Sequence, residues 1–236
     1  PISKGVRLAP TMKIRLRWLP RFLLLFGALL LIIALARPVT FSQNQSIKGL
    51  GIDIMLAMDI STSMLARDFD PNRLEAAKKT AIEFIQKRPQ DKIGLVAFSG
   101  EAFTQCPLTT DHNILIRFVE NLQCGILEDG TAIGMGLATS INRLKDDPVK
   151  TKIIILLTDG DNNAGYITPQ TAAGIGKELG VKVYTIGIGS EGNALVPLSN
   201  TGNDSDLFTM IPVNINEGLL RNIASTTQGK YFRAKD

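Results

Sequence analysis

The chain has 236 residues, with 26 lysines and arginines against 22 aspartates and glutamates, for a formal charge of +4. That mean hides an asymmetry: residues 1–37 hold seven basic residues and no acid, which leaves 19 basic against 22 acidic residues, a net charge of −3, for 38–236. The acidic portion is thereby excluded as a nucleic-acid-binding surface, and the apolar content of the basic segment points to a membrane instead.

In chain order, residues 1–17 read as a basic flank. From Phe22 to Ala36 the sequence FLLLFGALLLIIALA carries no charge. With Trp18 and Leu19, and Arg21 snorkelling, the run approaches the roughly 20 residues that a bilayer core needs, so 18–37 is expected to be a transmembrane anchor. A basic start, the apolar run and Ala34-Leu35-Ala36 also fit a cleaved signal peptide. Lys13, Arg15, Arg17 and Arg21 precede the run and Arg37 alone stands close behind it, so the positive-inside rule places residues 38–236 outside the cytoplasm. A start at Pro1 rather than Met marks the chain as an expected piece of a longer one. Residues 38–48 are expected to be a linker, polar over FSQNQSIK, and 49–236 one domain, long enough for a full core.

Within that domain Gly51–Met58, Lys92–Phe98, Lys152–Thr158 and Val181–Gly187 are short, nearly continuous apolar runs, as expected of strands buried on both faces of a parallel sheet. Helical spacing relates Leu74, Ala77, Ala81, Phe84 and Ile85, and again Ile114, Leu115, Phe118 and Leu122. Further helices are predicted over 131–144, 168–179 and 216–226, before a short strand at 229–233. Alternation of this kind predicts an α/β fold, a doubly wound, mostly parallel six-stranded sheet. Ala102–Gln105 comes too soon after the second strand for a crossover and is predicted to pair antiparallel at the edge. The stretch from Asn193 to Pro212 is read as a surface hairpin.

Ligands in such sheets bind outside the carboxyl ends of the strands. There the sequence places Asp59-Ile60-Ser61-Thr62-Ser63, Asp129-Gly130-Thr131 and Thr158-Asp159-Gly160. Two carboxylates (Asp59, Asp159) and three hydroxyls (Ser61, Ser63, Thr131) are hard oxygen donors, which suits Mg²⁺, with Mn²⁺ or Ca²⁺ as alternatives. Loop capping is the competing explanation: Ser61 and Ser63 serving turns, and Thr131 capping its helix.

Asp59-x-Ser61-x-Ser63, Thr131 and Asp159-Gly160, in this order, resemble the metal-ion-dependent adhesion site of von Willebrand factor A domains. CPLTTDHN, EDGTAIG, LLTDGDNNAG and GKYFRA behind an N-terminal anchor are similar to the BatA-type proteins of bacterial aerotolerance operons. That resemblance implies a divalent cation touched directly by Ser61, Ser63 and, with ligand bound, Thr131, while Asp59 and Asp159 act through water. It also implies a partner protein offering Asp or Glu to the metal, association with other Bat-type membrane proteins, an indirect link to a cytoplasmic MoxR-type ATPase, a bacterial inner-membrane location with the domain in the periplasm, and a second anchor after Asp236.

Enzymatic alternatives lack parts. A Mg²⁺-dependent hydrolase or phosphatase-like enzyme using the same acids is the runner-up, but the second Asp of phosphoaspartyl chemistry is replaced by Ser61. His112, the only histidine, reads as part of a helix start. Gly187-Ile188-Gly189-Ser190-Glu191-Gly192 matches a dinucleotide fingerprint formally, yet Pro197 and Gly202 stand where a helix should open. Asp161 is read as a solvated loop acid, Asp53 as a hydrogen-bonded structural one, and Cys106 and Cys124 as free thiols too far apart to pair.

Overall fold

The computed structural model describes residues 18–35, 51–147, 149, 151–190, 192–197, 208–213 and 215–234. Cα proximity divides the chain into two units, Pro1–Ile47 and Lys48–Asp236.

The first unit holds one helix, α1 (Leu19–Leu35), whose side chains are all exposed. Its 17 residues span about 25 Å at the α-helical rise, short of the roughly 30 Å bilayer core. Among the described residues no helix is long and apolar enough to cross a membrane. Of the segment 18–37 expected to be an anchor, residues 19–35 form this helix and residues 36 and 37 lie outside the described residues. The flank at 1–17 and the linker at 38–48 lie outside the described residues.

The second unit runs β1 (Asp53–Asp59), α2 (Arg73–Gln86), β2 (Lys92–Phe98), β3 (Ala102–Thr109), α3 (His112–Glu120), α4 (Ile133–Leu144), β4 (Lys152–Thr158), α5 (Pro169–Glu178), β5 (Val181–Gly187), β6 (Gly192–Pro197), β7 (Phe208–Val213), α6 (Glu217–Thr226) and β8 (Tyr231–Arg233). A six-stranded sheet has the order β3-β2-β1-β4-β5-β8, with β3 antiparallel at one edge and the other pairings parallel. β3 is twice as long as the predicted edge segment. It tolerates Pro107 because an edge strand can leave a backbone position without an N–H donor.

All seven residues of the central strand β1 are buried. The pleat sends Ile54, Leu56 and Met58 into a core shared with Leu74, Ala77 and Ile85 of α2 and Leu115 and Val119 of α3. Met55 and Ala57 face the opposite core, with Leu137 and Ile141 of α4, Ala172 and Ala173 of α5 and Leu220 and Ile223 of α6. Strands buried on both faces account for the continuous apolar runs in the sequence.

Helix starts coincide with the polar residues that punctuate those runs. Asn72, Asp111, Thr168 and Asn216 each accept a backbone N–H of the first turn. α4 starts at Ile133 rather than Thr131 and has no side-chain cap, so Thr131 does not play the capping role that competes with a metal. β6 and β7 form the predicted hairpin as a separate two-stranded sheet, and no helix opens after Gly192 as a dinucleotide fold requires.

Asp53 meets the hydrogen-bonded role read from the sequence in part, through a side-chain hydrogen bond with Asp147. It is 1% exposed, and its Oδ2 has no hydrogen-bond partner. Burial first, then the Asp147 charge, pushes its carboxyl up to about 6, while Lys92 and Lys152 pull the other way. A carboxyl raised by folding stabilises the fold while protonated and loses that contribution as pH rises from its unfolded value through its folded one. The advantage of Asp53→Asn over the wild type should therefore be about 1 kcal/mol larger at pH 8 than at pH 5, read from urea unfolding midpoints at both pH values. Gly134 gives a steric test. A Cβ there would collide with the Ile167 carbonyl of the segment crossing α4. Gly134→Ala should lower stability by about 2 kcal/mol, overpacking outweighing the roughly 1 kcal/mol gain in helix propensity.

Candidate metal centre

β1 and β4 are neighbours whose chain connections leave in opposite directions, so the loops after them open a crevice at their carboxyl ends. β1 delivers Asp59 into that crevice with no solvent exposure. Its Oδ1 accepts the Ser61 N–H at 2.9 Å and the Ser61 hydroxyl at 2.6 Å, and its Oδ2 accepts the Thr158 hydroxyl at 2.6 Å. Ser61 Oγ lies 3.0 Å from Ser63 Oγ, and the Ser63 hydroxyl in turn bonds Asp159. Asp59, Ser61, Ser63 and Asp159 are thus brought together. Burial, then the Asp159 charge, pushes Asp59 up to about 7 against the hydrogen bonds from Ser61 and Thr158. Asp159, 7% exposed, is raised too, chiefly by burial, with Ser63 and Arg73 opposing.

Thr131 reaches the same rim through its loop rather than by a hydroxyl hydrogen bond to Asp59, Ser61 or Ser63. Thr62 donates to Asp129 Oδ1 at 2.8 Å, joining the first loop to the second. Ser99, just after β2, donates its hydroxyl to the Gly130 carbonyl at 2.9 Å, and its own carbonyl accepts the Ala132 N–H at 2.6 Å. Asn163 Oδ1 accepts the Thr131 N–H at 2.8 Å, and the Thr131 carbonyl accepts the N–H groups of Asn163 and Ala164, joining the second loop to the third. These contacts need a tight path at Gly130, where φ is +126° and a Cβ would press on Ala164.

The residue set suits a hard divalent cation. Two buried carboxylates repel each other; among the described residues Arg73 pairs with Asp159 but is shared with Asp68, and Asp59 has no ion-pair partner, so negative charge exceeds positive charge in the pocket. Ser61 donates its proton to Asp59, which leaves its lone pairs available to a metal. Among the described residues no cluster of three or more His, Cys, Asp or Glu could hold a metal. The donors here are two acids and hydroxyls, the pattern for an oxygen-liganded ion that keeps waters.

Several neighbours escaped the sequence reading. Thr158 was visible only as a strand end. Asn163 lay within a loop acid and amide run. Arg73, 1% exposed, contacts Asp159 at 3.2 Å, and the available signal was a cation on the apolar face of α2, four residues before Ala77. Cys124 donates its thiol to the Ser61 carbonyl at 3.2 Å. Burial first, then Asp59, pushes that thiol up to about 12, so it stays protonated. Both cysteines are free. His112 sits away from the crevice, its Nε2 3.0 Å from the Asp91 carbonyl just before β2, which removes it as a base for Ser61 or Ser63.

Residues 54–162 match the family model of the von Willebrand factor type A domain. An uncharacterized protein of Borreliella burgdorferi is 35% identical over 168 residues, 71% of this chain and 49% of that protein, so the chain spans about half the length of that relative. Among solved structures, an aerotolerance-related membrane protein from Bacteroides fragilis is 31% identical with a TM-score of 0.71, covering 79% of this chain and 92% of that one. BatB from Bacteroides thetaiotaomicron is also 31% identical, with a TM-score of 0.68, covering 79% and 91%. Both neighbours agree with the resemblance to Bat-type aerotolerance proteins read from the sequence motifs. With its sheet order, its three converging loops and these relatives, the chain belongs to the von Willebrand factor type A domain family, with Bat-type aerotolerance-related proteins among its relatives.

Proposed function

We propose that the chain is a membrane-tethered protein-binding module that holds a divalent cation, Mg²⁺ in the first instance, at Asp59, Ser61, Ser63, Thr131 and Asp159. The observation that carries this reading is the convergence of Asp59, Ser61, Ser63 and Asp159 in one buried, positively undercharged crevice. A bound cation would offer a partner's Asp or Glu carboxylate a charge-assisted contact. The chain's part is to place the Asp59 carboxylate where a cation would favour its ionised form, orient Ser61 and Ser63 toward the same point, and carry Thr131 on a loop tied to both others. Because Asn163 grips Thr131 on both backbone groups, any shift of Thr131 on ligand binding carries the 163–164 segment with it.

The division into a basic cytoplasmic flank (1–17), an anchor (18–37), a linker (38–48) and a periplasmic domain (49–236) rests on the charge asymmetry and on the exposed apolar surface of α1. Membrane association is also named for the Bacteroides fragilis neighbour. On that relationship the partners are other Bat-type membrane proteins in a complex linked to aerotolerance, with a MoxR-type ATPase connected only indirectly across the membrane. The hydrolase alternative has no supporting nucleophile: both Asp59 oxygens are engaged in hydrogen bonds with no solvent exposure, and Ser61 stands where a second acid would be needed.

Two measurements test the reading. Mg²⁺ should raise the thermal unfolding midpoint of the wild type and chelator should reverse the shift, while Asp59→Ala should be indifferent to both. Retention of a Bat-type partner on the immobilised chain should show the same pattern, and retention unaffected by chelator and by Asp59→Ala would sink the adhesion mechanism. The raised Asp59 carboxyl supplies a pH signature in chelator. Its stabilising protonated form is complete below the unfolded value near 4 and disappears as pH rises through about 7. Relative to Asp59→Asn, which does not titrate, the metal-free wild type should lose stability between pH 4 and pH 8, by at most about 4 kcal/mol at 1.4 kcal/mol per shifted unit. Saturating Mg²⁺ should remove that loss.

A further inference from the structure

Arg73 heads the fully buried side chains by volume, although it is a cation at the first position of α2. Its Nε and Nη2 donate to Asp68 Oδ1 and Oδ2, both at 2.7 Å, in a bidentate fork, and its Nη1 donates to Asp159 Oδ2 at 3.2 Å. Asp68 Oδ2 also accepts the Ser190 N–H at 2.7 Å and its hydroxyl at 3.1 Å. Gly189, at φ +154°, leaves room for the guanidinium, because a Cβ there would sit 3.2 Å from its carbon. The Gly-x-Gly-Ser stretch after β5 is therefore a cradle for a buried ion pair. The neighbouring Arg67 N–H bonds the Leu195 carbonyl of β6, so the 66–72 segment also clamps the hairpin.

We propose that Arg73 is a positioning residue for the metal centre, holding the Asp159 carboxylate in the orientation that the cation requires; this rests on the metal reading above. Two effects oppose each other. A guanidinium beside a cation site repels the cation, whereas a donor locked onto one carboxylate oxygen fixes the direction of the other. The fork to Asp68 decides between them, because it compensates the Arg73 charge locally and leaves orientation as the dominant contribution. A lysine keeps the charge but loses the planar three-way geometry that reaches Asp68 and Asp159 together. Outer partners of metal ligands typically govern affinity by 10–100-fold.

The test is Mg²⁺ titration calorimetry on the full chain, with folding checked by circular dichroism. Arg73→Lys should weaken Mg²⁺ binding about 10–100-fold while the chain stays folded. The double variant Arg73→Gln with Asp68→Asn, which removes the pair without leaving a lone buried charge, should weaken it similarly. Ser190→Ala, which keeps the backbone N–H, should change it less than either. Lower unfolding midpoints with wild-type Mg²⁺ affinity in both Arg73 variants would reduce Arg73 to a structural ion pair and overturn the proposal. Tighter binding in the double variant would overturn it too, by showing that repulsion dominates. A wild type that binds no Mg²⁺ would instead remove the metal reading and this proposal with it.

Discussion

Everything at the crevice answers to one constraint, a carboxylate at the end of the most deeply buried strand with no solvent around it. Asp59 cannot be hydrated, so its oxygens must be satisfied by the protein, and three short donors converge on them from Ser61 and Thr158. Neutral donors cannot cancel a charge, however, and the second acid, Asp159, adds to the field rather than relieving it. Buried charges are retained at a net cost unless something offsets them, and among the described residues Asp59, unlike Asp159, has no ion-pair partner. The local structure thus holds more negative than positive charge, because Arg73 is shared between Asp159 and Asp68 and does not reach Asp59.

The sheet topology explains why these groups meet. Asp59 and Asp159 are a hundred residues apart in sequence but end adjacent parallel strands, β1 and β4, at the point where the chain changes winding direction. Helices α2 and α5 leave that point on opposite faces of the sheet, which keeps the crevice open between their approaches. The sheet thus supplies the two acids, and the 124–131 loop, held to Ser99 and Gly100 just after β2, supplies Thr131.

Much of this arrangement was legible in the sequence. β2, β4 and β5 fall on the apolar runs residue for residue, because doubly buried strands admit little else. Two of the three motif pieces are legible for the same reason, as polar residues at the ends of β1 and β4 where the apolar pattern stops, and the third as the polar loop before α4. Boundaries set by a single residue were less so: α4 begins two residues later than its predicted start because Thr131 is held by Asn163 and not by its own helix. Arg73, Asp68 and Ser190 were illegible as a set. Their connection spans 122 positions, and each looks ordinary where it stands: a helix start, a loop acid and a turn serine. Long-range pairing of charges leaves no periodicity to read. Asp53 was legible in part, as its position in β1 implied a satisfied polar group and one of its oxygens has no partner.

The three loops are tied to one another across the crevice. Thr62 holds Asp129, Asn163 holds Thr131 and Cys124 holds the Ser61 carbonyl, so no motif piece is supported only by its own segment. Independent loops would each lose conformational entropy when a cation and a partner's acid ordered them, and that ordering cost would weaken binding. Cross-linked loops lose that freedom during folding. A site built in this way begins organised, so a cation entering it would meet donors already in place and would not have to assemble the pocket.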